Sequence, residues 1–163
     1  MSQQQNSAII FGVGPREGVG AELCHRAATR GLHVYVNGRT QAKIDAVASD
    51  IEAVGGSATP ILADVTQVAE VNKALQAVAA DGRPLELAVY NAGNNRPEKF
   101  LDVTPEVYED MWRVICFGGF LTAQATLRLM LAQQSKSQKQ SLLFTCLLYT
   151  SQSPRDRSLS SMT

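Results

Sequence analysis

The sequence predicts an α/β fold, a doubly wound parallel sheet with helices on both faces, and three observations carry that prediction. Short apolar runs alternate strictly with stretches of helical period, and the loops between them are brief. The first apolar run leads straight into a glycine-rich turn, GVGPREGVG at Gly12–Gly20, which opens a helix. Apolar strands joined through helices cannot pair as hairpins, so they lie parallel and are covered on both sides. A chain of 163 residues suits one such domain.

Each element has its own signal. Ala8 to Phe11 is the first strand. Gly18 to Arg30 reads as a helix with Leu23 and Ala27 on one face, stopped by Gly31 as a C-terminal cap. LHVYV (32–36) is the second strand, and Thr40 is placed to cap the next helix. In that helix Ile44, Val47, Ala48 and Ile51 recur at helical spacing until Gly55 and Gly56 end it. ATPIL (58–62) is the third strand. Val68, Val71, Leu75 and Val78 mark another amphipathic helix, and Asp81, Gly82 and Pro84 turn the chain into the fourth strand, LELAVY (85–90).

Thr104 and Pro105 supply an N-cap and a first-turn proline for a long helix to about Gln133, apolar on nearly every side from Met111 to Met130. So wide an apolar surface needs cover on more than one side. QQSKSQKQ (133–140) is a polar loop and SLLFTCLLYT (141–150) a fifth strand candidate. The serine-rich remainder shows neither period and is expected to be disordered or non-native; the domain is accordingly expected over 1–149 and the tail over 150–163.

Composition narrows the partners. Fifteen basic and fifteen acidic residues leave a formal net charge of zero, so no global field draws the protein to nucleic acid or to an anionic membrane, and a small molecule is the expected partner. Cys24, Cys116 and Cys146 are odd in number and widely spaced, which indicates neither a disulfide framework nor a zinc site, and no metal is expected. MSQQQNS has no basic and apolar leader, and the apolar stretches look far shorter than the ~20 residues of a membrane helix. A cytoplasmic protein is expected.

The glycine cluster carries the chemistry. A helix N-terminus presents unpaired N–H groups and a partial positive charge, so a glycine turn before it makes a pyrophosphate cradle. The frame G-x-G-x-x-G from Gly12 fails at Glu17, whereas Gly14, Gly18 and Gly20 form G-x-x-x-G-x-G, with Gly14 read as the tight-turn glycine. A P-loop would need Gly-Lys followed by Ser or Thr, which does not occur, and the acidic residue that methyltransferases usually place before the first glycine is Phe11 here. His25 and His33 have no partner cluster and read as a helix-surface and a strand residue.

Together with ADVT and N-A-G after the third and fourth strands, this glycine frame resembles the short-chain dehydrogenase/reductase family. The resemblance runs from about Ala8 to Thr145 and implies a Rossmann-type sheet. It implies a cofactor site of Gly14, Gly18 and Gly20, of Asp64 with Val65 beside it, and of Asn91, Ala92 and Gly93, the Asp64 carboxylate meeting the adenine amine. After the second strand VNGRT offers no carboxylate for a ribose 2′-hydroxyl. Arg39, with Arg16 from the glycine loop, is instead suited to the extra phosphate of NADP, with NAD the less favoured cofactor.

The resemblance implies hydride transfer between nicotinamide and a carbonyl or alcohol, with a proton moved by the tyrosine of Y-x-x-x-K and a serine after the fifth strand orienting the substrate. This sequence departs there. Four places after Tyr35, Tyr90, Tyr108 and Tyr149 stand Arg39, Asn94, Trp112 and Ser153, and Ile115 stands where the family commonly has asparagine. No catalytic residue is assigned. From Cys146 the chain resembles neither family nor core and reads like translation through a frameshift, an intron or a library adapter, or as a natural short isoform. The expectation is therefore a sheet truncated after its fifth strand: either an incomplete NADP-dependent oxidoreductase, inactive alone, or a non-catalytic nucleotide-binding protein.

Overall fold

The computed structural model describes residues 5–94, 98–133 and 139–145. The expectations for Cys146, Tyr149 and the tail 150–163 lie outside the described residues. Five strands, β1 (Ser7–Phe11), β2 (His33–Gly38), β3 (Ala58–Leu62), β4 (Leu85–Tyr90) and β5 (Ser141–Phe144), form one sheet in the order β3-β2-β1-β4-β5. Every pairing is parallel, as the alternation with helices requires. The helices are α1 (Val19–Thr29), α2 (Gln41–Ala53), α3 (Val68–Ala80), α4 (Pro105–Trp112) and α5 (Gly118–Ala132).

The period of two along β1 divides its side chains between two cores. Ala8 and Ile10 face α1 and α2, where they join Val34, Val36, Ile44, Val47 and Ile51. Ile9 and Phe11 face the opposite side, with Val71, Leu75 and Val78 of α3 and Met130 of α5. All five residues of β1 are buried, the signature of a central parallel strand. Gly31 and Gly55 take positive φ just beyond α1 and α2, as the C-cap reading requires. Thr40 stands at the N-cap of α2 but makes no side-chain cap hydrogen bond, and Val68, counted with the apolar face of α3, is half exposed at the helix start.

The long helix differs most from expectation. Between α4 and α5 lies a π-helical turn, Arg113–Phe117, where the Gly118 amide reaches back to the Arg113 carbonyl. The Tyr90 hydroxyl, at the end of β4, donates to the Val114 carbonyl inside this turn, and a Cβ on Gly118 would lie 2.6 Å from the same hydroxyl. A widened turn over a glycine is how the helix accommodates a tyrosine between itself and the sheet. Its sheet-facing side is Thr122, Thr126 and Met130. Trp112, Phe120, Leu127 and Leu131 remain exposed, so the apolar surface is covered on one side only. Contrary to the sequence expectation, the run Pro105–Ala132 is long and apolar enough to cross a membrane by length and composition, with mean hydropathy 1.5. One side of it packs on α3 and β4, and 33% of its most apolar stretch is buried.

Candidate functional site

Strand order reverses at β1: the chain runs outward through β2 and β3, then crosses to β4 on the other side. Ligands of open α/β sheets bind at the carboxyl ends of the strands beside such a switch point. The expected residues do gather on that edge. A cleft of about 280 Å³ is lined by Gly12 to Gly14, by Asn37 to Thr40 and Lys43 after β2, by Ala63 to Val65 after β3, and by Ala92 and Gly93 after β4.

The glycine turn is built differently from the frame read in the sequence. Gly12, which that frame set aside, has φ +78°, and an added Cβ would lie 2.5 Å from the Ala92 amide nitrogen. This is the tight-turn glycine, on conformational and steric grounds together. Gly14 has an ordinary φ and nothing within 4 Å of where a Cβ would stand. Gly18 is the N-cap of α1, and Gly20 lets the helix approach the sheet, since its Cβ would meet Asn91 Nδ2 at 2.9 Å and Val13 Cα at 3.1 Å. The signal for Gly12 was its place directly after the last buried strand residue, Phe11.

The two motifs on neighbouring strands lock this turn. Asn91 Nδ2 donates to the Gly12 carbonyl at 3.2 Å, and Asn91 Oδ1 accepts from Thr145 Oγ1 at 3.0 Å, so one side chain ties the ends of β1, β4 and β5. Asp64 Oδ1 accepts from the amide and hydroxyl of Thr66, both at 2.8 Å, in a local turn. Asp64 Oδ2 lies 3.7 Å from Arg39 Nη1. The structure thus brings Gly14, Arg39, Asp64, Val65, Ala92 and Gly93 to one cleft, with Gly18, Gly20 and Asn91 supporting its wall.

Arg16 is not among the cleft-lining residues. Its Nε is 2.9 Å from Asp50 Oδ2 on α2, which pins the glycine loop against that helix. Lys43, which the sequence reading passed over, lines the cleft from the first turn of α2. It stands four residues after Arg39, and both line the cleft.

These residues fit an adenosine phosphate. Open space over Gly14 lets backbone come close to a ligand. Asn37 Oδ1, buried where Asn37 lines the cleft, is an acceptor without a donor among the described residues. Cations rather than a carboxylate follow β2. The volume suits an adenosine-sized group, at the low end for ligand pockets.

Among the described residues, no tyrosine or histidine lines this cleft. Burial pushes the Tyr90 hydroxyl far up, and Asp64 adds to that, while its bond to the Val114 carbonyl occupies it. Tyr35 is pushed far up by burial and by its hydrogen bond to Asp81 at the opposite edge of the sheet. Ile115 sits half exposed on the π-helical turn. His33 is buried in β2 between Ser57 Oγ at 2.7 Å and Thr59 Oγ1 at 3.1 Å, a structural role. Cys24 is buried, its thiol pushed up to about 12 by desolvation, whereas Cys116 is exposed. Among the described residues no cluster of His, Cys, Asp or Glu is arranged to hold a metal.

Comparison with known proteins agrees with this geometry. The short chain dehydrogenase family profile matches residues 8–141. The chain is 32% identical over 130 residues to a very-long-chain 3-oxoacyl-CoA reductase of Schizosaccharomyces pombe, across 77% of this chain and 38% of that protein. It is 32% identical over 120 residues to a short-chain dehydrogenase/reductase of Armillaria gallica, across 72% of this chain and 45% of that protein. A solved short-chain type dehydrogenase/reductase from Mycobacterium marinum superposes with a TM-score of 0.80 at 31% identity, over 88% of this chain and 56% of that one. The chain spans about half the length, or less, of these relatives. With the motifs on three strand ends, the sheet order and these matches in agreement, the chain belongs to the short-chain dehydrogenase/reductase family.

Proposed function

We propose that this chain is the dinucleotide-binding portion of an NADP(H)-dependent oxidoreductase acting on a small carbonyl or alcohol substrate. The observation that carries the reading is the cleft at the β1/β4 switch point, walled by the glycine loop and bordered after β2 by Arg39 and Lys43 with no carboxylate at that position. The backbone of Gly12–Gly20 and the start of α1 would face the pyrophosphate, Asp64 and Val65 the adenine, Arg39 the 2′-phosphate, and Asn91–Gly93 the nicotinamide-side ribose. When bound, the nicotinamide supplies or takes the hydride exchanged with the substrate carbon. This chain's own part is to bind and orient: Asn91 holds the loop, and Gly12 and Gly20 set the spacing between strand and helix.

In this reading the 163-residue chain binds the dinucleotide without turning substrate over, because the sequence holds no Y-x-x-x-K and Ile115 offers no polar atom for a proton relay. That combination also favours the second reading, a non-catalytic nucleotide-binding protein. A cytoplasmic setting and a homo-oligomer formed through residues 104–133 complete the proposal, the latter supported by the exposed Trp112, Phe120, Leu127 and Leu131. The test is a titration of the purified chain with NADPH, followed by an absorbance assay with ketones, aldehydes and quinones. Saturable binding without turnover supports the reading; absence of binding overturns it. Steady turnover would overturn the inactivity.

A further inference from the structure

Asn91 stands where β4 ends, and its side chain is held on two sides. Its backbone amide donates to the Phe11 carbonyl at 3.0 Å, which leaves the orientation of the carboxamide as the free variable. Nδ2 donates to the Gly12 carbonyl at 3.2 Å and lies where a Cβ on Gly20 would meet it at 2.9 Å, so the carboxamide is wedged between the glycine turn and the first turn of α1. On the far side Oδ1 accepts from Thr145 Oγ1 at 3.0 Å. Thr145 follows β5 and is not among the cleft-lining residues. Its own amide already serves the Tyr90 carbonyl at 2.9 Å, and that carbonyl stands 3.3 Å from the hydroxyl, so the hydroxyl proton is better placed for Asn91. A carboxamide has a donor end and an acceptor end of nearly equal size. The Gly12 carbonyl can take only the donor end, and the Thr145 hydroxyl, by donating, holds the acceptor end away from it.

We propose that Thr145 is a positioning residue for the glycine loop: its hydroxyl fixes the Asn91 carboxamide, and Asn91 in turn fixes the Gly12 carbonyl and the spacing between β1 and α1. This rests on the dinucleotide reading above and deepens it, extending control of the loop to β5, two strands away from β1. The physical reason is rotational freedom. Without the hydroxyl, Asn91 is held at one end only, its amide turns about the last side-chain bond, and the Gly12 carbonyl loses its partner for part of the time. The amides beyond Gly12 are those that a pyrophosphate must meet together, so looseness there weakens that contact and leaves the adenosine end of the cleft as it was.

The experiment measures equilibrium binding of NADPH, and of 2′-AMP, which carries the adenosine and its 2′-phosphate but no pyrophosphate, to the wild-type chain and to Thr145→Val, Thr145→Ser, Asn91→Ala and the double variant of Thr145→Val with Asn91→Ala. Thr145→Val keeps the shape of the side chain and removes its hydroxyl. It is expected to weaken NADPH by about threefold to tenfold and to leave 2′-AMP within about twofold, with Thr145→Ser restoring most of the loss. In the Asn91→Ala background the same substitution should add nothing, since Thr145 acts through Asn91. Should Asn91→Ala fail to fold, the serine rescue and the comparison of the two ligands decide the matter. Equal loss for both ligands, or a loss that Thr145→Ser does not restore, makes Thr145 a residue of general stability and overturns the assignment. Unchanged NADPH affinity in Thr145→Val also overturns it, while leaving dinucleotide binding intact. A wild-type chain that binds no NADPH overturns the underlying reading and this inference together.

Discussion

Gly12 is where a single residue decides the turn. With φ +78° and the Ala92 backbone against it, Gly12→Ala combines backbone strain with a steric clash, and we expect a loss of about 1–3 kcal/mol in denaturant-monitored stability. Gly14→Ala, with open space and ordinary φ, should cost far less in stability and show itself in dinucleotide affinity instead. The motif spacing made the glycine loop legible in the sequence. Which glycine the turn demands was not, because φ and the approach of Ala92 depend on a strand far along the chain. Arg39→Ala is expected to weaken NADPH by about tenfold while leaving NADH nearly unchanged, as loss of a charge-assisted phosphate contact should. Equal loss for both in the titration would make Arg39 a structural residue. At the other edge of the sheet, burial and the nearby Arg83 lower the His33 pKa, with Asp81 opposing them; Tyr35, Ser57 and Thr59 complete its surroundings. The folded state therefore resists taking a proton that an unfolded histidine accepts near 6.5. As pH falls through that value the unfolded chain binds more protons, so stability declines below about pH 6.5 and is fully present above it. Urea midpoints measured at pH 7.5 and 5.5 should differ, and His33→Gln should flatten the difference; an unchanged slope would count against this account.

Among the elements, the helical run after Thr104 carries most of what could not be read from sequence. Its start was legible: Thr104 Oγ1 accepts from the Val107 amide, and Pro105 fills the first turn. Its π-helical turn was not, because the cause is a long-range contact, the Tyr90 hydroxyl of β4 on the Val114 carbonyl. Tyr90→Phe removes that donor while preserving the ring that packs on Phe144, and a buried carbonyl left without it should cost about 1–3 kcal/mol in a thermal or urea melt. A cost near zero would show that the carbonyl finds another partner. The same turn exposes Cys116, while Cys24 lies buried with its thiol pushed up to about 12. In the folded chain a thiol reagent at pH 8 should therefore modify Cys116 quickly, and Cys24 only after unfolding; modification of Cys24 at a comparable rate would contradict the packing of α1.

For the whole molecule, alternation of apolar runs and amphipathic helices gave away the parallel sheet, since strands joined through helices cannot pair as hairpins. Less legible was how open the sheet stays on its α1 side. The face of β4 and β5 on the α1 side borders a groove of about 1060 Å³ with Leu23, Leu87, Val89 and Leu143 in its lining, and α5 leaves Phe120, Leu127 and Leu131 exposed. Parallel sheets are normally buried on both faces. The isolated chain is thus expected to bind an apolar dye and to run above its 17.6 kDa monomer mass in light scattering. A dye-silent monomer would contradict that. The central claim, that the carboxyl edge at the β1/β4 switch point is a dinucleotide site, is tested most directly by amide chemical shifts on adding NADPH to the labelled chain. Saturable shifts are predicted at Gly12 to Gly20, Arg39 to Lys43, Asp64, Val65 and Asn91 to Gly93, with His33 and Asp81 at the opposite edge unmoved. Shifts confined to the opposite edge, or none at millimolar NADPH, would contradict it.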